Sequence, residues 1–468
     1  MKAIKYPGRP MLSLGSRLVR AVMMVAVVAP LTYAQSFQSL NPLGSGPEGF
    51  RLYSLSTSVA YYSNATDAGQ GISGRGINLG ADLATSGAAT FGWNHGRGRS
   101  RLSMVYTSTY TNRLRYSEWN ALNHALLLSF SRKLSPRWSW QISLNTALSS
   151  TEQFLFTPSQ LASITSAPST FEELAGAMLT GQTDNNQLSA LLATPGLDSP
   201  VRVLLYGNRI FNAGLQTVLS YAPSSRTRLH FSVGATRFQY LTDPTNGRAF
   251  QQGVYLVPQS VEGYANVGVS RSLSPHTQIS LDVSTDRNFS RFADAYRNSV
   301  SGTLGRIVGR HWFFQVQGGG GFVMGVRSVS RTLGGPQYLV GLRATYKAGA
   351  HTFSVSGDRN FADSYAVGAG SMLNLNASWN WARPSSKWRL YSGFGYQQLQ
   401  NTNFGNLESW KATTGFGRSI NRHLGMQVEY ACLTYTGVTS PGSFRISPNT
   451  SISAARVSMV WSPQISHR

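Results

Sequence analysis

Histidines are the first residues in this sequence that could do chemistry, since a Ser-His-Asp site needs a histidine between a nucleophile and a carboxylate. Of the eight histidines, His467 lies in the C-terminal tail, whereas His124 and His230 fall inside predicted strands. The others lie at or beside predicted short turns: His95, His276, His311, His351 and His423. Only His230 has the parity of a polar strand face. No Gly-x-Ser-x-Gly motif has the required context, and no His/Cys/Asp/Glu cluster has metal-ligand spacing. We therefore expect no enzymatic activity, metal or other cofactor.

Glycine runs and a single cysteine are the next residues that could form a functional site. The runs 318–321 and 69–76 could suggest phosphate loops, but neither leads into a helix, which the dinucleotide and Walker motifs need. Small residues on a crowded or sharply curved strand explain these glycines instead. Cys432 is the only cysteine, so no internal disulfide can form. Its apolar strand predicts a buried or lipid-facing thiol.

The elements that must position any functional side chain are β-strands. Residues 373–381 read Leu-Asn-Leu-Asn-Ala-Ser-Trp-Asn-Trp, which places apolar side chains on one face and polar side chains on the other. Similar alternation recurs along the chain in segments long enough to cross a membrane when tilted. We predict strands at 50–63, 76–94, 100–113, 120–133, 137–152, 206–222, 226–240, 261–273, 276–289, 297–308, 311–325, 337–347, 350–361, 367–383, 387–400, 408–420, 423–436 and 450–462.

These segments predict an all-β fold, a closed antiparallel transmembrane β-barrel of about 18 strands, with 16 as the alternative count. The segment 76–94 is the weakest strand, because 84–89 could contain a turn. A soluble β-sandwich or propeller is the main structural rival, and failure of the protein to partition with membranes would favour it.

The connections alternate in character, which supplies an orientation. One set is short and similar in sequence, for example RKLSPRW at 132–138, RSLSPH at 271–276 and RSINRH at 418–423. Tryptophans stand at strand ends beside this set, where an aromatic belt would meet lipid headgroups: Trp138, Trp312, Trp381 and Trp388. The other connections are longer and variable. We therefore place the short turns, and both chain ends, on the periplasmic side.

One long connection breaks the strand pattern. Within 157–200, Ser169 and Thr170 precede two glutamates, as in a helix capping box, and leucines recur at helical spacing farther on. This helical insert must belong to an extracellular loop. It could constrict the lumen, cover the mouth or face solvent.

The first 34 residues have the form of a secretory signal. A basic stretch with Lys2 and Lys5 precedes an apolar run at 21–31, and Ala34 ends a small-residue cleavage site. We expect the mature domain, a single barrel, to span 35–468.

Composition agrees with an exported membrane protein. Charged residues make up only 13% of the chain, which is too few for a typical soluble surface. The formal net charge of +23 permits contact with phosphate-rich surfaces. For an exported chain we expect outer-membrane lipid and lipopolysaccharide as partners, and no nucleic acid.

The residues that determine function should lie on the face that strand parity turns inward. Polar neutral side chains dominate that face. Its ionisable members, which we predict to line a pore, are Asp82, His230, Asp282, Asp286, Arg343, Asp358, Arg389, Lys411, Glu429 and Arg456. In a wet lumen such charges would set ion preference, whereas opposite charges could instead pair across the lumen or pin the insert.

The chain resembles Gram-negative outer-membrane β-barrels of the porin-like class over nearly all of its predicted mature length. The likeness rests on the signal, the alternating strands, the aromatic strand ends and the short turns. A weaker likeness in size and strand count is to barrels that accompany polysaccharide-export proteins. One departure is that Trp461 is followed by 462–468, whereas such barrels usually end on an aromatic residue.

The resemblance implies insertion into the bacterial cell outer membrane by the barrel insertion machinery. It implies a porin-like passive diffusion channel for small hydrophilic solutes. The alternatives are export of a polysaccharide with a periplasmic partner, or a binding or scaffold barrel plugged by 157–200. Export predicts an inert isolated barrel, whereas a plugged barrel predicts that 157–200 is protected from external protease.

Overall fold

A computed structural model of the chain describes residues 49–63, 65–66, 78–79, 81–115, 117, 120–150, 209–241, 260–290, 293–328, 335–363, 369–383, 386–401, 405–421, 423–437 and 450–463. The predicted signal segment and the predicted helical insert at 157–200 lie outside these residues. Within them, no helix is long and apolar enough to cross a membrane.

The described residues form twenty strands. Their bounds are β1 (Gly49–Tyr62), β2 (Ala65–Thr66), β3 (Asn78–Leu79), β4 (Asp82–Arg97), β5 (Ser100–Arg113), β6 (Ala121–Lys133), β7 (Trp138–Ser150), β8 (Arg209–Tyr221), β9 (Thr227–Leu241), β10 (Ser260–Ser274), β11 (Thr277–Ser290), β12 (Ala293–Val308), β13 (Trp312–Ser328), β14 (Gly335–Ala348), β15 (His351–Asp363), β16 (Ala369–Ala382), β17 (Trp388–Asn401), β18 (Gly405–Ser419), β19 (Leu424–Gly437) and β20 (Thr450–Trp461). The two short strands β2 and β3 pair only with each other.

The other strands form one closed antiparallel barrel of 18 strands. Each long strand pairs with the next along the chain, and β1 closes the ring by pairing with both β4 and β20. The predicted fold class and the count of 18 are therefore confirmed, and 16 is wrong. The weakest predicted strand is continuous as β4, because residues 84–89 pair with both β1 and β5.

Short turns join the strands at one end of the barrel, and side chains in them replace missing backbone partners. The Ser135 hydroxyl accepts hydrogen bonds from the backbone N–H groups of Arg137 (3.2 Å) and Trp138 (3.1 Å). Asn421 does the same for His423 and Leu424, both at 2.8 Å. These Ser and Asn turns explain the sequence similarity among the short connections.

The outer face of the barrel is apolar. Leu281 is 49% exposed, Val283 48% and Val355 58%, and the same strand parity presents exposed apolar residues around the ring. Aromatic rings gather on this face at the short-turn end, where the Trp138 ring lies 4.5 Å from that of Tyr221. In water such a surface would aggregate, whereas in lipid it is the stable arrangement.

Candidate functional site in the barrel lumen

The inner face of the barrel carries the polar residues of every long strand. Asn145, Gln216, Asn374 and Gln427 are buried on it, and each alternates with outward apolar neighbours. The ten sequence-predicted residues all have this inward parity in the observed pairing. That they line a conducting path remains a prediction.

One predicted residue, Asp82, is fully enclosed near the outer end of the wall. Its carboxylate lies 3.2 Å from the Arg113 guanidinium, and both side chains are 0% exposed. The backbone N–H of Arg115 also donates to it at 3.0 Å. Arg113 lies over the Tyr62 ring, 5.0 Å from its centroid. Asp82 therefore holds β4 to β5 rather than presenting a charge to the lumen.

A second charge cluster spans three consecutive strands in the outer third of the lumen. Arg297 of β12 lies 2.5 Å from Asp286 of β11 and 3.6 Å from Glu262 of β10. All three side chains are partly exposed, Arg297 by 26%. One guanidinium between two carboxylates leaves a net negative site, unless a solute cation or a proton joins it.

His230 and Asp282 meet although a whole strand lies between them. His230 of β9 and Asp282 of β11 are both in register with Gly268 of β10. The imidazole Nε2 lies 3.1 Å from the carboxylate of Asp282 and 3.2 Å from the Asn266 side-chain oxygen. A Cβ at position 268 would collide with both partners, so glycine is required there.

A third group of predicted residues lies toward the short-turn end of the barrel. Arg456 forms an ion pair with Glu429 at 2.5 Å, and the Glu429 side chain is 0% exposed. Arg389 donates to Gln427 at 3.1 Å, and Gln427 donates to Tyr391 at 2.7 Å. Like Asp82, Glu429 is enclosed in the wall.

The remaining predicted residues lie near mid-height on β14, β15 and β18. Asp358 accepts a hydrogen bond from the Asn374 amide at 3.0 Å. Arg343 lies in register with Gln315, and Lys411 lies in register with Gly395 four strands from β14. Arg343 and Lys411 are both partly exposed on the inner face.

Glycines on the inner face act as sockets for long side chains of neighbouring strands. A Cβ at Gly417 would lie 2.7 Å from the Arg389 Nε atom, and one at Gly415 would overlap the Tyr391 ring. Gly92 receives Tyr53 in the same way. These sockets hold bulky side chains flat against the wall, which keeps them out of the lumen.

The two sectors of the inner face differ in burial. On β1, β4, β19 and β20 the face packs as an apolar cluster, each member at most 5% exposed: Ala60, Tyr62, Ala84, Ala431, Ile452 and Ala454. On β9 to β18 the inward charged residues named above are partly exposed. The described inner face is therefore closely packed and apolar at the long-loop end of β1, β4, β19 and β20, and charged and partly exposed along β9 to β18.

Sequence reasoning missed Arg113, Glu262 and Arg297, which belong to the inward ion-pair clusters of the predicted residues Asp82 and Asp286. Each stood within two residues of the end of a predicted strand, where alternation is hardest to extend. The observed strand β12 begins four residues earlier than predicted, which places Arg297 inside it and in register with Asp286. A register-level alignment of neighbouring strands would have found this pair.

The histidines take the positions that parity predicted. His124 lies on the outer face of β6, where its Nδ1 is 2.7 Å from the Tyr106 hydroxyl. Among the described residues, no group of three His, Cys, Asp or Glu could hold a metal ion. Cys432 shares the outward parity of Tyr430, which is 48% exposed.

A closed barrel with an apolar exterior, an aromatic belt and a polar interior is the architecture of Gram-negative outer-membrane β-barrels. Neither a family model nor a curated protein matches the sequence.

Several solved structures are similar in fold. OccAB2 of Acinetobacter baumannii is 9% identical to this chain. The match covers 88% of this chain and 98% of OccAB2, with a TM-score of 0.43. OpdQ of Pseudomonas aeruginosa is 9% identical, with coverages of 89% and 98% and a TM-score of 0.44. The FrpB iron transporter from Neisseria meningitidis is 7% identical, with coverages of 85% and 65% and a TM-score of 0.45.

Proposed function

We propose that the protein is a passive diffusion channel for small hydrophilic solutes in the bacterial outer membrane. The observation that carries the proposal is the closed 18-strand wall, apolar outside and polar inside. A barrel of this size encloses an aqueous channel unless something fills it. Glycine sockets that hold Tyr53, Arg389 and Tyr391 against the wall support an open lumen.

The exposed charges predict a mild preference for anions. Along β9 to β18 the partly exposed inward carboxylates Glu262, Asp282, Asp286 and Asp358 are matched in number by Arg297, Arg343, Arg389 and Lys411. At the short-turn mouth, inward parity adds basic residues such as Arg101 and Lys347, and no Asp or Glu lies within four residues of those turns. Because fixed charge in a wet pore sets the local concentration of counter-ions, the lumen should hold more anions than cations.

Catalysis and polymer export have less support than passive diffusion. Transport through a lumen needs no nucleophile or general base, and the histidines that the structure describes do not gather into such a site. Nothing in the described wall favours a polysaccharide over small solutes. We therefore retain the passive channel as a non-enzymatic function.

The test is the conductance of the purified chain, from residue 35 onward, in a planar lipid bilayer. A matched variant lacks residues 158–200. Ion selectivity is measured from the reversal potential in a salt gradient. Stable conducting steps with a weak anion preference would support the proposal.

Two other outcomes are informative. Silence of the complete chain with steps in the deletion variant would assign a plug to the deleted segment and replace the open channel by a gated or binding barrel. Silence of both proteins, with correct folding shown by heat-dependent electrophoretic mobility, would refute the diffusion channel.

A further inference from the structure

Basic residues are concentrated at the short-turn end of the barrel. Every one of the eight short connections between long strands carries an Arg or Lys within four residues of its ends, and none carries an Asp or Glu. The residues are Arg97, Arg99, Arg101, Arg132, Lys133, Arg137, Arg226, Arg228, Arg271, Arg306, Arg310, Lys347, Arg383, Lys387, Arg389, Arg418 and Arg422.

The opposite end has no such excess. Counted in the same way, with four residues of each flanking strand, the connections at that end carry eleven basic and thirteen acidic residues. The positive charge of the protein is therefore polarised along the barrel axis. Since charge alone does not fold a barrel, the polarisation points to a partner on one side.

Five of these basic residues point toward lipid and form a set that we name the rim arginines. They are Arg97, Arg132, Arg271, Arg306 and Arg418. Each is exposed and has the outward parity of its strand. Arg306, for example, alternates with Leu304 and Val308, which are 45% and 44% exposed.

The rim arginines lie at the level of the aromatic belt. Arg418 is in register with Trp388 and lies over its ring, 5.0 Å from the centroid. Arg132 is in register with Trp140. Aromatic belts mark the depth of lipid headgroups, so these guanidinium groups lie at the depth of lipid phosphates. Arginine binds phosphate well because its planar fork donates two parallel hydrogen bonds.

We propose that the rim arginines form an annular binding surface for the phosphate groups of anionic phospholipids in the periplasmic leaflet. The set is spread over β4, β6, β10, β12 and β18, which covers much of the circumference. A lipid annulus contacts a barrel all round at one depth, whereas a soluble protein partner would use a patch and reach the turn tips. The surface does not depend on whether the lumen conducts.

The experiment measures which lipids the folded full chain retains. The protein is reconstituted in an equimolar mixture of phosphatidylcholine and phosphatidylglycerol, and retained lipids are counted by native mass spectrometry. The rim variant carries R97Q, R132Q, R271Q, R306Q and R418Q. A matched tip variant carries R99Q, R137Q, R226Q, R310Q and K387Q, which removes the same charge from residues in or beside the turns.

The parent should retain phosphatidylglycerol over phosphatidylcholine by about fivefold at each rim position, since one cation near an anionic surface favours it by roughly that factor. The rim variant should lose most of this preference, and the tip variant should keep it. High salt should abolish the preference in the parent, because screening shortens the range of the interaction. Heat-dependent electrophoretic mobility shows that each variant has folded.

Three results would overturn the proposal. The parent could retain both lipids equally. The tip variant could lose as much preference as the rim variant, which would indicate a surface for a soluble acidic partner. Lipopolysaccharide added to the same mixture could displace phosphatidylglycerol from the parent but not change lipid retention by the rim variant, which would assign the rim arginines to lipopolysaccharide instead.

Discussion

The substitution Glu429→Gln tests whether Glu429 stabilises the barrel wall or contacts solute in the lumen. Glu429 is 0% exposed and lies 2.5 Å from Arg456, which is 16% exposed. Glutamine keeps the shape of the side chain but leaves the guanidinium without its charged partner. Removal of one partner from a buried ion pair typically costs about 3–5 kcal/mol. We expect about 3 kcal/mol here, because Arg456 reaches some solvent.

The assay is equilibrium unfolding in urea, with the free energy of unfolding compared among the parent, the single variant and a double variant with R456Q. Because the double variant leaves no uncompensated buried charge, its loss should be smaller than the sum of the two single losses. Ion selectivity of the folded Glu429→Gln channel should stay close to that of the parent.

A loss of stability below about 0.5 kcal/mol would refute the assignment of Glu429 to a buried clamp. A reversal potential that moves more in Glu429→Gln than in Arg343→Gln would refute it independently, since only an exposed charge should act on ions in the lumen.

Three further predictions concern the lumen and the outer face. Arg343→Gln should weaken anion preference in reversal-potential measurements and change stability little, and an unchanged potential would remove Arg343 from the conducting path. Gly417→Ala should displace Arg389 from the wall and lower single-channel conductance, whereas Gly318→Ala, with no atom within 4 Å of its added Cβ, should not; equal effects would argue against the socket. Cys432 should resist a charged maleimide in lipid vesicles and react after denaturation, and rapid labelling in vesicles would contradict its lipid-facing position.

Much of the fold could be predicted from sequence because the strand period is short-range. Alternation within 373–381 fixes which side chains share a face, whatever the neighbouring strands are. The same alternation within 450–462 puts Met459 and Trp461 on the face of Val457, and all three are exposed in the structure. The short turns could also be predicted from sequence, since Ser135 and Asn421 accept hydrogen bonds from backbone N–H groups only two and three residues away.

The roles of the charged residues could not be predicted from sequence to the same extent. Parity gave Asp82 and Arg343 the same inward direction, but only one of them is enclosed. The difference arises because Asp82 meets Arg113, a residue 31 positions away on an adjacent strand. Strand parity contains no information about such partners.

The sequence by itself therefore predicted a closed barrel of about 18 strands and the inner and outer face of each strand. These depend on residue type and on spacing of a few positions. Only the tertiary structure decided which inward charges pair and which stay exposed, because pairing depends on register between strands and on gaps such as Gly268, over which His230 reaches Asp282.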